Sequence, residues 1–297
     1  MSEEEAQARS EALEAIYEEA LRLEKAGEAS AAARAWREVL ALDETGMCGA
    51  AVRLAALGAE ASPHIAPRAY VTTLFDQHAG DFDEILVGRL GYRMPEALAE
   101  RLRALGELPE APKVLDLGCG TGLVGVALGD WPSHLTGVDL SVRMLEAADA
   151  REVYDALYVG DAEGFLEADG EDEEDEDSGP WDLIVAADVM PYLGDLAPLA
   201  AACARGLTPG GVLAFTTETL PPKRIGPRGW TVGPHQRFHH DPAYLTRILK
   251  AQGFEVERME PAVIRYNTGR PEPGHIVFAR LSAPWKAGGI DPATAEA

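Results

Sequence analysis

The chain has 297 residues, a formal net charge of −24 and 46% hydrophobic residues, a length that suits two domains and an apolar content that can bury a core. The acidity argues against nucleic acid as a partner, because phosphates are repelled, and no apolar run approaches the ~18 residues of a membrane span. The three cysteines, Cys48, Cys119 and Cys203, are scattered and odd in number, so they form neither a disulfide framework nor a metal-binding pair, and a cytoplasmic protein with free thiols is expected.

The start, MSEEEAQARS, is acidic and does not read as a signal peptide. Leu13, Ile16, Tyr17, Ala20, Leu21 and Leu23 recur at helical spacing, Gly27 breaks the pattern, and Ala31 to Leu42 resumes it with Trp36, Val39 and Leu40. This predicts a helical hairpin over 1–62. Leu23, Gly27, Ala32, Trp36 and Leu40 resemble a tetratricopeptide (TPR) repeat, in which small residues sit where helices cross. One hairpin is too short to stand alone. It either packs on its neighbour, binds a protein partner or a second copy, or is a plain helical cap. LAALG, Leu54 to Gly58, reads as the start of another helix. A helical cap or linker is expected over 63–108, containing Tyr70, Phe75, Phe82 and Tyr92, with Pro95 separating two helices.

From Lys113 the pattern turns to strands alternating with helices. Strands are expected at Lys113–Leu117, Leu135–Val138, Leu157–Val159, Leu183–Ala187, Val212–Thr217, Phe254–Pro261 and His275–Leu281. A Gly/Pro turn from Asn267 to Gly274 joins the last two as an antiparallel hairpin. The expectation is an α/β domain over 109–283 with a Rossmann-like, seven-stranded, mostly parallel sheet, followed by a flexible tail at 284–297. Ligands of such sheets sit at the carboxyl ends of the strands. The acidic run Glu171 to Asp177 reads as a solvated loop.

Within this domain VLDLGCGTG places Gly118, Gly120 and Gly122 between the first strand and a helix. Glycines there allow positive φ and let a ligand lie against the backbone, and the helix N-terminus offers free N–H groups. The spacing is neither a P-loop nor the dinucleotide G-x-G-x-x-G. Asp139, in GVDLS at the end of the next strand and about twenty residues on, suits a ribose diol. Asp161 follows the third strand in GDA, and Asp188 the fourth in WDLIVAADV. Each acid alone is an ordinary strand-end residue; the ordered set points to a nucleoside site.

Read in order, VLDLGCGTG, GVDLS, GDA, WDLIVAADV and LTPGGVLAFTTE resemble the motifs of class I S-adenosylmethionine-dependent methyltransferases, and the N-terminal helices resemble a bacterial group in which TPR-like helices precede such a domain. The resemblance implies a methyltransferase that uses S-adenosylmethionine and releases S-adenosylhomocysteine. It assigns Gly118, Cys119, Gly120 and Gly122 to the methionine portion, Asp116 to holding that loop, Asp139 to the ribose, Leu140 and Met144 to flanking the adenine, and Asp161 and Ala162 to its edge. Asp188 is placed near the methionine end and the acceptor, and Tyr70 over the cofactor.

The acceptor is expected to be a small anionic metabolite methylated on oxygen, including a carboxylate. The loop Glu218 to His240 gathers Lys223, Arg224, Arg228, His235, Arg237, His239 and His240 in an otherwise acidic chain. Arg224, Arg228, His235 and Arg237 are candidate acceptor-binding residues. Asp188, Glu218, His239 and His240 are candidate catalytic groups, the histidines as general bases, although HH before DPAYL equally suits a helix start capped by Asp241. No set of three carboxylates stands at metal-ligand spacing, so no metal is expected. A nicotinamide dehydrogenase fits the glycine spacing worse and lacks a Tyr-x-x-x-Lys pair. A protein methyltransferase whose helices recruit the substrate, and a non-catalytic adaptor, are the alternatives.

Overall fold

The computed structural model describes residues 2–168 and 179–282; the acidic run Glu171 to Asp177 and the tail 284–297 lie outside them. Helices α1 (Glu3–Lys25) and α2 (Ala29–Leu42) form the expected hairpin, with Gly27 in the left-handed region at the turn. Trp36 is fully buried between them, meets Tyr17 edge-on at 5.5 Å and donates its indole N–H to Glu24 at 2.8 Å. The third helix, α3 (Ala50–Ala56), ends in LAALG; Gly58, with φ of 68°, terminates that helix rather than opening another.

Next come α4 (Arg68–His78), a single π-helical segment (Glu84–Arg89) and α5 (Met94–Arg103), with Pro95 in the first turn of α5. The sheet follows. β1 (Lys113–Leu117), β2 (His134–Asp139), β3 (Ala156–Val159), β4 (Trp181–Ala186) and β5 (Leu207–Glu218) are parallel in the order β3-β2-β1-β4-β5. β1, β4 and residues 211–218 of β5 are buried almost throughout because helices cover both faces. Those helices are α6 (Leu123–Leu128), α7 (Val142–Asp149), α8 (Ala162–Ala168), α9 (Ala197–Gly206) and α11 (Pro242–Ala251), with α10 (Pro222–Ile225) a single turn. As expected, Asp241 caps α11, accepting the Ala243 N–H at 2.8 Å.

Two features differ from the sequence expectation. The sheet has nine strands among the described residues: the stretch read as an open loop folds into the hairpin β6 (Trp230–Val232) and β7 (Phe238–His240). β7 joins β5 through the pair Glu218↔His239. Since β9 occupies the other edge of β5 at Glu218, β7 lies on the β4 side, just past the end of β4. Strands of three residues carry too little periodicity to be read in advance.

The terminal antiparallel hairpin is also longer than expected. β8 (Phe254–Asn267) and β9 (Arg270–Leu281) meet at a two-residue turn, Thr268 and Gly269, both at positive φ, as a type I′ turn requires. Pro261, Pro271 and Pro273 suggested an earlier end. They are accommodated in a ladder whose register shifts between Val263 and Arg265. The extension carries Arg265 to the carboxyl end of the sheet.

Candidate functional site

A cleft enclosing about 1050 Å³, counted to its open mouth, lies at the carboxyl ends of β1 to β4, beneath a roof formed by α4 and the π-helical segment. The floor is built strand by strand. After β1, Gly118 and Gly120 adopt φ of 66° and 55°. A Cβ at Gly118 would sit 2.4 Å from Val189 Cγ2, so glycine is needed there for space as well as for backbone. Gly118 and Cys119 donate to the Val138 carbonyl, which pins the loop to β2.

Asp139 ends β2 and is held by two amides: Gly120 N–H to Oδ2 at 2.9 Å and Ser141 N–H to Oδ1 at 2.8 Å. Burial raises its pKa against those donors. Each oxygen keeps a lone pair for a ligand. Leu140 lies beside it in the cleft. After β3, Asp161 accepts from Gly164 N–H at 3.0 Å and pairs with Arg68 of the roof at 2.9 Å, with Ala162 adjacent in the lining.

Three polar clasps fasten the roof to the strand-end loops: Arg68 to Asp161, Ser141 Oγ donating to Asp76 at 2.5 Å, and Thr121 Oγ1 donating to Asp83 at 2.6 Å. Arg151 also pairs with Asp83. No sequence pattern marked these contacts, which join residues from separate elements.

Gly118, Cys119, Gly120, Asp139, Leu140, Asp161, Ala162 and Asp188 therefore line one cleft. The other cofactor candidates lie behind or away from it. Met144 is fully buried in α7. Gly122 backs onto Tyr154 and Arg151. Asp116 lies under the loop at 0% exposure; its Oδ2 accepts from the Tyr154 hydroxyl at 2.7 Å and its Oδ1 has no partner. Burial lifts the Asp116 carboxyl to about 7, the Tyr154 hydrogen bond opposing and Asp139 adding. Tyr70 is outside the cleft, its ring against Gly49 of the N-terminal helices.

The cationic cluster expected around the acceptor does not line the cleft. Arg224 is exposed on α10. Arg228 lies over the Trp230 ring at 4.8 Å and donates to the Ser62 carbonyl. His235 pairs with Glu272 at 3.4 Å. Arg237 is buried and neutralised: its Nε donates to Glu218 at 2.9 and 3.0 Å, its Nη2 to Asp188 at 2.6 Å and its Nη1 to the Tyr192 hydroxyl at 3.2 Å. Arg265 completes the network, pairing with Asp188 and approaching Glu218 at 3.4 Å. Two acids and two arginines thus balance at the end of the cleft.

Asp188 is the candidate catalytic group that reaches the cleft. It sits at φ of 63°, its amide held by Thr216 Oγ1 at 3.1 Å. Burial opposes its charge, but Arg237 and then Arg265 outweigh burial and hold its carboxyl below the usual carboxylate range. Glu218 is 1% exposed and committed to the arginines. Neither histidine lines the cleft. His239 hydrogen-bonds the Arg237 carbonyl through Nδ1 at 2.9 Å. His240 donates from Nε2 to the Leu193 and Gly194 carbonyls, which can only accept, while Nδ1 meets the Thr217 hydroxyl at 2.8 Å. Burial pushes the His240 pKa down to about 4. The ring is a neutral structural tie between β7 and the loop after β4.

The remaining lining is largely apolar, from Phe75, Phe82, Leu86, Tyr92, Val189 and Tyr192 among others. Its charged members besides Asp188 are Arg68, Asp139, Asp161 and Glu163, so the cleft leans acidic. Among the described residues no group of three or more His, Cys, Asp or Glu converges in a way that could hold a metal ion, and no helix is long and apolar enough to cross a membrane.

Comparison with known proteins agrees with this geometry. The ubiquinone biosynthesis O-methyltransferase of Maricaulis maris (strain MCS10) is 27% identical over 190 residues, covering 60% of this chain and 72% of that one. The biotin biosynthesis bifunctional protein BioCD of Bordetella avium (strain 197N) is 40% identical over 124 residues, 41% of this chain but 25% of the relative. Among solved structures, magnesium protoporphyrin IX methyltransferase from Synechocystis PCC 6803 with bound SAM shares the fold, with a TM-score of 0.52 at 17% identity over 72% of this chain and 97% of that one. So does N-methyltransferase NodS from Bradyrhizobium japonicum WM9 in complex with S-adenosyl-l-homocysteine, with a TM-score of 0.52 at 18% identity over 71% and 98%. The family described as "Methyltransferase domain" matches residues 90–258. That match takes in the glycine loop, all three strand-end acids and Arg237, and the chain belongs to this family: it is an S-adenosylmethionine-dependent methyltransferase.

Proposed function

We propose that the protein transfers a methyl group from S-adenosylmethionine to an oxygen of a small molecule bound in the same cleft. The observation that carries this reading is the order of the floor: a glycine loop that leaves no room for a Cβ at Gly118, then Asp139, then Asp161 with Ala162, along the ends of β1, β2 and β3. The residues present fit the donor. Gly118, Cys119 and Gly120 would hold its amino-acid end, Asp139 its ribose and Leu140 with Ala162 its purine. When bound, the donor supplies a methyl group on a sulfonium, whose leaving group needs no proton.

The chain's own contribution is then binding, orientation and exclusion of water. The roof excludes water over the floor, and its apolar inner face lowers the local dielectric. Asp188 is held charged in the lining by Arg237 and Arg265. The relatives named O-methyltransferases favour oxygen as the accepting atom. The acidic lining and the neutralised Arg237 favour an acceptor without negative charge over the anionic metabolite expected from the loop's cations. For domain organisation we read 1–62 as a helical unit, 63–108 as the roof and 109–283 as the transferase domain; the buried apolar cluster around Trp36, drawn from residues 20–54 alone, supports the first of these, whereas the roof shares its core with the transferase domain.

Calorimetric titration with S-adenosylmethionine and S-adenosylhomocysteine, on the native protein and on Asp139→Ala, tests the donor site. Binding in about the micromolar range, weakened by two or more kcal/mol in the variant as a charge-assisted pair of hydrogen bonds is lost, is the expected result. Absence of binding by folded native protein would refute it.

A further inference from the structure

At the end of the cleft, two polar groups of opposite kind lack a well-formed hydrogen bond among the described residues. Asp188 Oδ1 takes both arginines, Arg237 at 2.6 Å and Arg265, while Oδ2 accepts no hydrogen bond among the described residues. Tyr92, from the turn before α5, lines the same cleft; its hydroxyl is buried beside Thr216 and makes no well-formed hydrogen bond among the described residues. A buried hydroxyl left unmet is destabilising, and a ligand that accepts its hydrogen would relieve that cost. Arg265 links the two groups. It ion-pairs with Asp188, and its guanidinium stands 5.2 Å from the centroid of the Tyr92 ring. It belongs to β8, beyond residues 90–258 matched by the family.

The chemistry that answers both groups donates one hydrogen bond and accepts another. A carboxylate would put like charge beside Asp188. An ammonium would leave the Tyr92 hydrogen unmet. A neutral hydroxyl satisfies both, and Phe75, Phe82, Leu86 and Tyr192 offer its body an apolar, partly aromatic wall. We propose that Asp188 Oδ2 and the Tyr92 hydroxyl together hold a neutral hydroxyl on a ring-bearing, apolar acceptor, with Arg265 as the positioning residue that fixes both. This rests on the methyl-transfer reading above. The transfer balances: the acceptor O–C bond forms as the donor C–S bond breaks, the sulfonium charge is cancelled, and the hydroxyl proton leaves past Asp188 to solvent.

The test uses the full chain saturated with S-adenosylhomocysteine and four probes of one shape: 2-naphthol, naphthalene, 2-naphthoate and 2-naphthylmethylammonium. The expected result is that 2-naphthol binds about tenfold or more tighter than each of the other three, two hydrogen bonds being worth that much. Tyr92→Phe should erase most of that preference while S-adenosylhomocysteine affinity is unchanged, and Asp188→Asn should erase it as well. Arg265→Gln should erase it too, and Arg265→Lys should restore part, which a purely structural role would not produce. Equal affinity for 2-naphthol and naphthalene, no binding of 2-naphthol, or a preference untouched by Tyr92→Phe would overturn the proposal while leaving the donor site standing. Failure of folded native protein to bind S-adenosylhomocysteine would overturn both.

Discussion

Replacing Arg237 by methionine removes the busiest group in the buried ionic network. Arg237 makes four hydrogen bonds, to both oxygens of Glu218, to Asp188 and to Tyr192, at 2.6 to 3.2 Å. Its side chain is 14% exposed, Glu218 1% and Asp188 12%. The variant leaves two buried carboxylates facing one guanidinium. Breaking such a pair from one side costs about 3–5 kcal/mol, which for a chain of this size lowers the melting temperature by on the order of 10 °C. Urea denaturation near neutral pH should show that loss. It should shrink in acid, because protonation relieves the unpaired carboxylate. The pH sense in the native protein is the reverse. The carboxyl of Asp188 is held below its unfolded value, so its stabilisation is present above about pH 4 and is lost as pH falls through the folded pKa. The double variant Arg237→Met with Glu218→Met restores charge balance and should be less unstable than the sum of its parts. A loss under about 1 kcal/mol in Arg237→Met would refute the buried network as a source of stability.

The other predictions concern single contacts. Gly118→Ala places a Cβ 2.4 Å from Val189 at φ of 66°; it should weaken S-adenosylmethionine binding about tenfold or more by calorimetry, and unchanged affinity would exclude the loop from the donor site. Tyr154→Phe strips Asp116 of its hydrogen-bond donor. A stability loss of about 1–3 kcal/mol is expected by urea titration, larger above pH about 7, where Asp116 is charged, than below it; a pH-independent loss would contradict the raised Asp116 pKa. His240 is buried neutral, with its pKa pushed down to about 4. The unfolded chain therefore binds the extra proton between that value and ~6.5, and stability falls as pH drops across the window, by up to about 3 kcal/mol in all. His240→Gln should flatten that limb in denaturation curves at pH 4.5 to 7.5, and an unaltered limb would assign it to other groups.

The floor of the cleft was legible because it is local. Strands β1 to β4 each end in a residue whose place follows from the strand's own length and from the rule that parallel sheets present ligands at their carboxyl ends. Gly118, Asp139, Asp161 and Asp188 therefore reach one cleft from a pattern readable within segments of a few residues. Met144, Gly122 and Asp116 carry the same motifs but lie behind the wall. A motif records which residues build a loop, without separating those that face a ligand from those that support it. Tyr70 reads as a roof residue from its neighbours Val71 and Phe75, both in the lining, but its ring turns to Gly49, where the absence of a Cβ makes room.

The Asp188 end of the cleft depends on pairings between distant parts of the chain, and those left no local trace. Arg237 looked like a free cation in a loop because the partners that neutralise it, Asp188 and Glu218, follow other strands. Arg265 was hidden by Pro261, Pro271 and Pro273, which argue against a strand except at an edge or a bulge, and β8 has both a free edge and a register shift there. The β6–β7 hairpin that presents Arg237 is braced in turn from the N-terminal region. The Ser62 hydroxyl accepts from Val232 N–H at 2.9 Å, and Gln236, next to Arg237 and at positive φ, donates to Glu24 at 3.1 Å. Glu24 is the residue that also takes the Trp36 indole and Arg53. Thus the β6–β7 hairpin, through Arg237, and the bulged part of β8, through Arg265, converge on Asp188 at the end of β4, and α1 braces the hairpin through Gln236. In a fold whose sheet hosts many activities, function is argued from such a site rather than from the sheet, and the proposal above places the acceptor hydroxyl at this network.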